Sequence, residues 1–490
     1  MNNCMTLSNK IENSTFLQLP TKMDLLGLTF DSREVHEDFA FFAFSGIHTD
    51  GNLYIDRAIE NGASLIVCEI EPESLICGIG YLLVPSTRSS FAIFNSYFYD
   101  RSDEKLKIIG VTGTDGKTTT CCYLYHFLKM LNYKVALSTT VYQDDGKDLI
   151  KSPNRQSTPE ADVLHSFFKR CVEHDVEYLI LETTSHSLSE EMDRLNTIKF
   201  EMAIITNITS EHLELHKSID RYVDAKCNLI RNLKEGGTFI STLDNIHLDE
   251  CLKVADKHRS FILKRDLMYE IIKHDNMLPL DVSIKNKVYK TDMHLDVFVS
   301  NALLAAGAAS IISQLPVETF LSKIKDLMHI DGRFIVIENN LNINFIVDFA
   351  HTADAFHHIM KSLKPKSSRL IALFGSGGER DVEKREQMGK VASSFCDIII
   401  LTEEDPRDEG DDKITSDIAD GISDTPFVKI YDRMDAIKYA VKIADEADVV
   451  LFLGKGHESS IQRRYSKIQW NEESAVRAAI EERERDESNR

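Results

Sequence analysis

The apolar positions of this chain fall in short continuous runs. Phe39–Phe44, Ala63–Ile70 (ASLIVCEI) and Tyr81–Val84 are the first three. They read as short strands with residues 55–61 as an intervening helix, and they predict a small α/β domain over residues 1–105. The charged segment Asp100-Arg101-Ser102-Asp103-Glu104-Lys105 reads as a linker. From Leu106 the pattern changes. A β-rich run to Val111 is followed by a glycine-rich turn, and then by helical spacing from Thr118 to Leu131. Further apolar runs, Glu177–Leu181 and Met202–Thr206, predict a parallel sheet covered on both faces. Asn301–Ile312 (NALLAAGAASII) is rich in strong helix formers. After Asp331-Gly332-Arg333, the runs Phe345–Asp348, Leu370–Phe374, Asp397–Leu401 and Val449–Leu453 alternate with helical stretches such as Ala436–Ala447. The pattern divides the chain into 1–105, 106–330 and 331–490, as a length of 490 residues suggests. The tail from Glu481 is highly charged and reads as a solvated helix end or disordered chain.

Composition narrows the class. With 43% hydrophobic and 28% charged residues, the chain is of soluble globular type. No stretch approaches the ~18 consecutive apolar residues of a membrane span. Met1-Asn2-Asn3-Cys4 does not open a secretory signal, so a cytoplasmic protein without a membrane partner is expected. A net charge of -21 argues against nucleic-acid binding, although individual loops can still present donors to phosphate. The nine cysteines form no CxxC pair and read as reduced, buried thiols.

The chemistry starts at Ile109-Gly110-Val111-Thr112-Gly113-Thr114-Asp115-Gly116-Lys117-Thr118-Thr119, between a strand and a helix. Glycines let backbone N–H groups approach phosphate, and the helix N-terminus adds positive potential. Lys117 supplies charge for the β- and γ-phosphates, and Thr118 places a hydroxyl where Mg²⁺ needs a ligand. Glu182 closes the next apolar strand, where a carboxylate can serve a metal beside the loop. His212 and His216 share a helix face; taken alone, the pair fits a solvent-facing or structural role better than a metal site. Lys226 alone would read as a surface lysine.

These motifs resemble the Mur ligase family. The loop has its GTxGKTT form, and Tyr222-Val223-Asp224-Ala225-Lys226-Cys227-Asn228-Leu229 resembles its segment with a carbamylated lysine. Val347-Asp348-Phe349-Ala350-His351-Thr352-Ala353-Asp354 resembles DYAHxPD, with Ala353 in the proline position. Phe374-Gly375-Ser376-Gly377-Gly378-Glu379-Arg380-Asp381 with Lys384-Arg385 resembles GxGGxRDxxKR, and Gly454-Lys455-Gly456-His457-Glu458 resembles GKGHE. Three details resemble the tripeptide-forming branch: Phe30-Asp31-Ser32-Arg33 with His48-Thr49-Asp50-Gly51, Ser157-Thr158-Pro159, and Glu404-Asp405-Pro406-Arg407.

The resemblance implies three domains: a small N-terminal α/β domain, a central P-loop parallel-sheet ATPase domain and a C-terminal Rossmann-like α/β domain. It also implies ATP-dependent amide formation through an acyl-phosphate, with Mg²⁺ held by Thr118, Glu182, His212 and carbamylated Lys226. Lys117, Glu182, His212 and Lys226 would be catalytic. Gly113, Thr114, Asp115, Gly116, Lys117, Thr118, Thr119, Asn301, Arg333 and Asp348 would bind ATP. Ser32, His48, Thr49, Asp50, Ser157, Thr158, Thr184 and Arg194 would hold a UDP-muramoyl dipeptide. Arg380, Asp405, Pro406, Arg407, Gly454 and Glu458 would hold a diamino acid. Arg380 and Arg407 suit the distal carboxylate of meso-diaminopimelate, whereas Asp405 leaves room for lysine or ornithine. A monomer is expected, and domain closure is expected before chemistry. Three alternatives differ in kind. A folylpolyglutamate-synthetase-like ligase would lack the uridine-type first domain and GKGHE. A simple P-loop switch would lack the third-domain motifs. A silent Mur-like scaffold would have lost part of the metal set.

Overall fold

The computed structural model describes residues 3–46, 50–154, 156–209, 216–265, 268–274, 277, 279–379 and 381–488. His48, Thr49, His212 and Arg380 lie outside the described residues. The chain divides into two compact units, Met1–Ile208 with Ser218–Leu263, and Thr209–Lys217 with Lys264–Arg490.

The first unit holds two sheets. The smaller contains β1 (Thr15–Gln18), β2 (Gly27–Thr29), β3 (Phe39–Phe42), β4 (Ala63–Cys68) and β5 (Gly80–Leu83), in the order β1-β5-β4-β3-β2. Only β1 is antiparallel to its neighbour. The helix Thr87–Phe98 sets Phe91 and Phe94 edge-on to Phe42. The segment read as a linker instead contains a short helix, Ser102–Lys105, with Ser102 and Asp103 buried. Asp103 can be buried because its carboxylate accepts a bond from Ser96 Oγ at 2.8 Å.

The larger sheet contains β6 (Lys107–Thr112), β7 (Val135–Ser138), β8 (Tyr142–Asp144), β9 (Ile150–Lys151), β10 (Tyr178–Glu182), β11 (Phe200–Ile205), β12 (Leu233–Thr242) and β13 (Arg259–Leu263). Their order is β13-β12-β11-β6-β10-β7-β8-β9. All pairs are parallel except those of β8 with β7 and β9. Every residue of β10 is buried, as both faces of a parallel sheet require. Leu164, Phe167, Phe168 and Cys171 form a stripe of helical period on Ala161–Glu173 and join that core.

In the second unit, β14 (Glu270–Ile272), β15 (Asp281–Ile284) and β16 (Lys287–Lys290) form an antiparallel sheet. A six-stranded sheet follows, from β17 (Ile335–Ile337), β18 (Asn344–Asp348), β19 (Leu370–Phe374), β20 (Ile398–Leu401), β21 (Phe427–Lys429) and β22 (Val449–Leu453). Its order is β17-β18-β22-β19-β20-β21, parallel apart from β17. A hairpin of β23 (Ser460–Arg463) and β24 (Ser466–Gln469) completes the strands. Residues 264–330 group with this unit, and Leu295, Val297 and Phe298 pack into its core. The helix Asp296–Ser313 is long and apolar enough to cross a membrane by length and composition, but 56% of it is buried, as in a core helix. The charged tail continues the helix Glu472–Ser488.

The N-terminus of Ala161–Glu173 yields a stability prediction. Asp162 Oδ1 is buried with no hydrogen-bond partner. Burial, with the Glu160 and Glu34 carboxylates adding to it, pushes the Asp162 carboxyl up to about 6. The folded state thus binds this proton more tightly than the unfolded chain does, so the group lowers stability as pH rises through about 4 to 6. Asp162→Asn is expected to stabilise the fold by about 1–3 kcal/mol at pH 7.5 and by little at pH 4, measured by urea unfolding at both pH values.

Candidate functional site

In the first unit, β11, β6, β10 and β7 lie side by side and parallel, so their carboxyl ends share one edge of the sheet. The phosphate loop leaves β6 there and runs into the helix Lys117–Met130. Gly113 has φ 154°, and a Cβ on it would sit 1.8 Å from Thr206 Oγ1, so no side chain fits. Residues after β11 clamp the loop. Asn207 O accepts from Thr114 N–H at 2.9 Å, and Asn207 Oδ1 accepts from Asp115 N–H at 2.9 Å. Lys117 Nζ donates to Gly113 O at 3.0 Å and to Thr114 O at 2.7 Å, folded back over its own loop. Thr118 and Thr119 are buried in the first turn of the helix.

Thr118 Oγ1 donates to Glu182 Oε2 at 2.9 Å. Thr140, after β7, adds its backbone N–H on the same oxygen at 2.9 Å and its hydroxyl 3.0 Å from Glu182 Oε1. Glu182 is 1% exposed, so these donors replace its water. Lys226 is 1% exposed rather than a surface lysine. Its Nζ donates to Gly113 O at 2.7 Å and lies 4.4 Å from the centroid of the Tyr222 ring, whose hydroxyl is 3.1 Å from Thr114 Oγ1. Among the described residues no group of three or more His, Cys, Asp or Glu could hold a metal ion. The oxygen pair Thr118–Glu182 nevertheless fits Mg²⁺, a hard cation that takes one or two protein oxygens and fills its shell with phosphate and water.

Ser157, Thr158, Thr184 and Arg194 continue that edge. Ser157 Oγ is 2.7 Å from Thr140 Oγ1. Thr158 Oγ1 donates to Glu182 O at 3.0 Å and accepts from Thr184 N–H at 3.0 Å. Thr184 caps the short helix Ser185–Leu188. Arg194 turns inward, donating to Thr158 O at 3.1 Å and pairing with Glu160. In the smaller sheet's domain, Ser32 is buried, and Asp50 accepts from Asn52 N–H at 3.0 Å.

In the second unit, β18, β22, β19 and β20 are again adjacent and parallel, and the four motifs sit at their carboxyl ends. Asp348 ends β18, with its two oxygens accepting from Ala350 N–H and Phe334 N–H at 2.7 Å each. Burial pushes its carboxyl above the ordinary range, against the pull of Arg333. The Arg333 guanidinium lies over Phe349, 4.5 Å from the ring centroid. Asn301 is buried on Asp296–Ser313. Asp405 Oδ1 accepts from Lys455 Nζ at 3.0 Å and from Gln462 N–H at 2.9 Å, and Glu458 accepts from Lys455 at 2.5 Å. Burial draws the Lys455 ammonium down, but Glu458 and Asp405 outweigh it and hold it protonated. Gly454 has φ 100°, and a Cβ on it would meet Glu404 Oε2 at 2.5 Å. Pro406 is buried, and Arg407 has φ 54°.

Two family domains match this chain, the Mur ligase middle domain over residues 111–309 and the Mur ligase glutamate ligase domain over residues 332–456. The chain belongs to the Mur ligase family. This Mur ligase is 37% identical over 473 residues to UDP-N-acetylmuramyl-tripeptide synthetase of Borreliella burgdorferi, covering 94% of this chain and 93% of that protein. It is 34% identical over 476 residues to UDP-N-acetylmuramoyl-L-alanyl-D-glutamate–2,6-diaminopimelate ligase of Clostridium botulinum, covering 94% and 96%. A solved UDP-N-acetylmuramoyl-L-alanyl-D-glutamate–2,6-diaminopimelate ligase matches with a TM-score of 0.61 at 27% identity, over 94% of this chain and 96% of that one. The MurF ligase of Thermotoga maritima in complex with ADP shares the fold, with a TM-score of 0.63 at 19% identity over 93% and 97%. The expected α/β class and three-domain architecture agree with these structures.

Sequence reasoning had not assigned Thr140, Asn207 or Tyr222. Asn207 and Tyr222 stood inside motifs read for their neighbours, while Thr140 follows β7, a four-residue strand. Thr140→Val removes the hydroxyl from Glu182 but keeps the backbone donor. It is expected to lower ATP-dependent turnover about tenfold and raise the Mg²⁺ concentration for half-maximal rate, with Thr140→Ser restoring both in a steady-state assay.

Proposed function

We propose that this Mur ligase adds a diamino acid to UDP-N-acetylmuramoyl-L-alanyl-D-glutamate at the expense of ATP. The observation that carries this is the meeting of Thr118 and Glu182 beside the phosphate loop, in a chain whose acceptor-side residues Ser157 and Thr158 bond into the same cluster. ATP phosphorylates the D-glutamate side-chain carboxylate. The amine of the diamino acid attacks the acyl-phosphate carbon, and phosphate leaves from the tetrahedral intermediate. The protein's work is positioning and charge neutralisation.

Lys117 swings from the Gly113 and Thr114 carbonyls onto the β- and γ-phosphates. Thr118, Glu182, His212 and a carbamylated Lys226 would hold Mg²⁺, which would supply charge neutralisation for the transferred phosphoryl group. Carbamylation would convert the Lys226 cation, now on Gly113 O, into an anion able to face a metal. Asn301, Arg333 and Asp348 hold adenine and ribose. Ser32, His48, Thr49, Asp50, Ser157, Thr158, Thr184 and Arg194 hold the UDP-linked acceptor. Arg380, Asp405, Pro406, Arg407, Gly454 and Glu458 hold the diamino acid. The protein acts as a cytoplasmic monomer.

The charges of that last group favour meso-diaminopimelate. Its distal end carries both an ammonium and a carboxylate, whereas lysine and ornithine carry only the ammonium. Asp405 and Glu458 share one buried cation, Lys455, and so retain excess negative charge for an ammonium. Unlike Arg463 and Arg464, which pair with Glu403 and Asp408, Arg407 enters no ion pair among the described residues and is available to a carboxylate.

Phosphate release is to be measured with ATP, Mg²⁺ and UDP-N-acetylmuramoyl-L-alanyl-D-glutamate, offering meso-diaminopimelate, L-lysine and L-ornithine separately. Turnover is expected, fastest with meso-diaminopimelate. Faster turnover with lysine or ornithine would reassign the selecting charge to Asp405, and silence with all three would sink the ligase assignment.

A further inference from the structure

Arg385, 0% exposed, is a fully buried cation of the second unit that contacts the strand-end loops after both β19 and β20. It stands on the helix Glu383–Phe395 and cannot reach a substrate. Its guanidinium grips Glu409 with both arms, at 2.9 and 2.8 Å. It also donates to Gly377 O at 3.1 Å and to Asp417 Oδ2 at 2.8 Å. Gly377 belongs to the glycine loop after β19, and Glu409 to the loop after β20 that carries Asp405, Pro406 and Arg407. A planar fork that fits a carboxylate with two parallel bonds fixes direction as well as distance, which an ammonium does not.

The brace continues beyond the arginine. Glu409 Oε2 accepts from Glu379 N–H at 2.9 Å, and Glu409 N–H donates to Pro406 O at 3.1 Å. Gly378 N–H donates to Asp405 O at 2.8 Å, and a Cβ on Gly378 would lie 2.0 Å from Pro406 O. The two loops are therefore in backbone contact, with Glu409 bonded to both. Arg385, with Lys413 assisting, holds the Glu409 carboxyl far below the usual range. Two non-glycine residues in these loops are left-handed, Glu379 at φ 53° and Arg407 at φ 54°. Such residues persist only where their surroundings over-determine them. Both lie where this brace acts: Glu379 gives its N–H to Glu409, and Arg407 follows Pro406 directly.

We infer that Arg385 is a positioning residue for the diamino acid: acting through Glu409, it locks the Asp405–Arg407 loop against the glycine loop so that Arg407 and Asp405 face the incoming substrate. This rests on the ligase function proposed above. Asp417 anchors the same guanidinium to the helix Asp411–Ala419 and serves stability, not substrate.

The test uses the full chain, with Arg385→Lys, Glu409→Gln and Asp417→Asn compared with the parent enzyme. KM is measured separately for ATP, the UDP-linked dipeptide and the diamino acid, beside a thermal melt for each variant. Arg385→Lys and Glu409→Gln are expected to raise KM for the diamino acid at least tenfold, with the other two KM values within twofold. Asp417→Asn is expected to lower Tm and leave all three KM values within twofold. Should Arg385→Lys fail to fold, Glu409→Gln decides, since that side chain is partly exposed in its loop. A folded Glu409→Gln with unchanged KM for the diamino acid, or with all three KM values shifted together, overturns the positioning role while leaving the ligase assignment intact. Silence of the parent enzyme with every diamino acid removes the assignment and this role together.

Discussion

A parallel strand buried on both faces has no side chain to spare for chemistry along its length; it can carry function only where it ends. That constraint organises both units of this protein. In one, the carboxyl ends of β11, β6, β10 and β7 bring Asn207, the phosphate loop, Glu182 and Thr140 into one row. In the other, β18, β22, β19 and β20 do the same for Asp348, the Gly454–Glu458 turn, the glycine loop and the Asp405–Arg407 loop. Residues far apart in sequence become neighbours because strand order, not chain order, sets which ends touch.

Much of this was legible in the chain. The continuous apolar runs located most central strands, and the Gly-Lys-Thr turn located the loop, because each signal is local and strong. Thr140 was invisible for the opposite reason: β7 is only four residues long, and a threonine acquires meaning only when β7 pairs with β10 and sets it against Glu182. Lys226 shows the same limit. Its segment marked it by resemblance, but its burial against Gly113 and Tyr222 depends on where the helix Ile219–Arg231 packs. The burial of Asp103 was illegible because composition cannot reveal that the Ser96 hydroxyl donates to its carboxylate.

The buried charges follow one logic. Arg433 pairs with Glu472 at 0% exposure on both sides, Arg385 with Glu409 and Asp417, and Lys455 with Asp405 and Glu458. Removing one partner of such a pair leaves the other uncompensated, so each acts as a pin that holds its loops in place and is costly to break. The pins cluster around the loops after β19, β20 and β22, where irregular backbone has no ladder to hold it. Rigidity is thus supplied by side chains where regular structure runs out.

Gly113 has a consequence for escape from inhibition. Its carbonyl receives two lysines, its φ of 154° suits glycine, and the space a Cβ would need is taken by the Thr206 hydroxyl. A single substitution there must disturb the backbone, the clamp and both lysines at once. A compound that makes its principal contact with this carbonyl would therefore press on a position with almost no mutational exits, and resistance would have to arise at a distance from it.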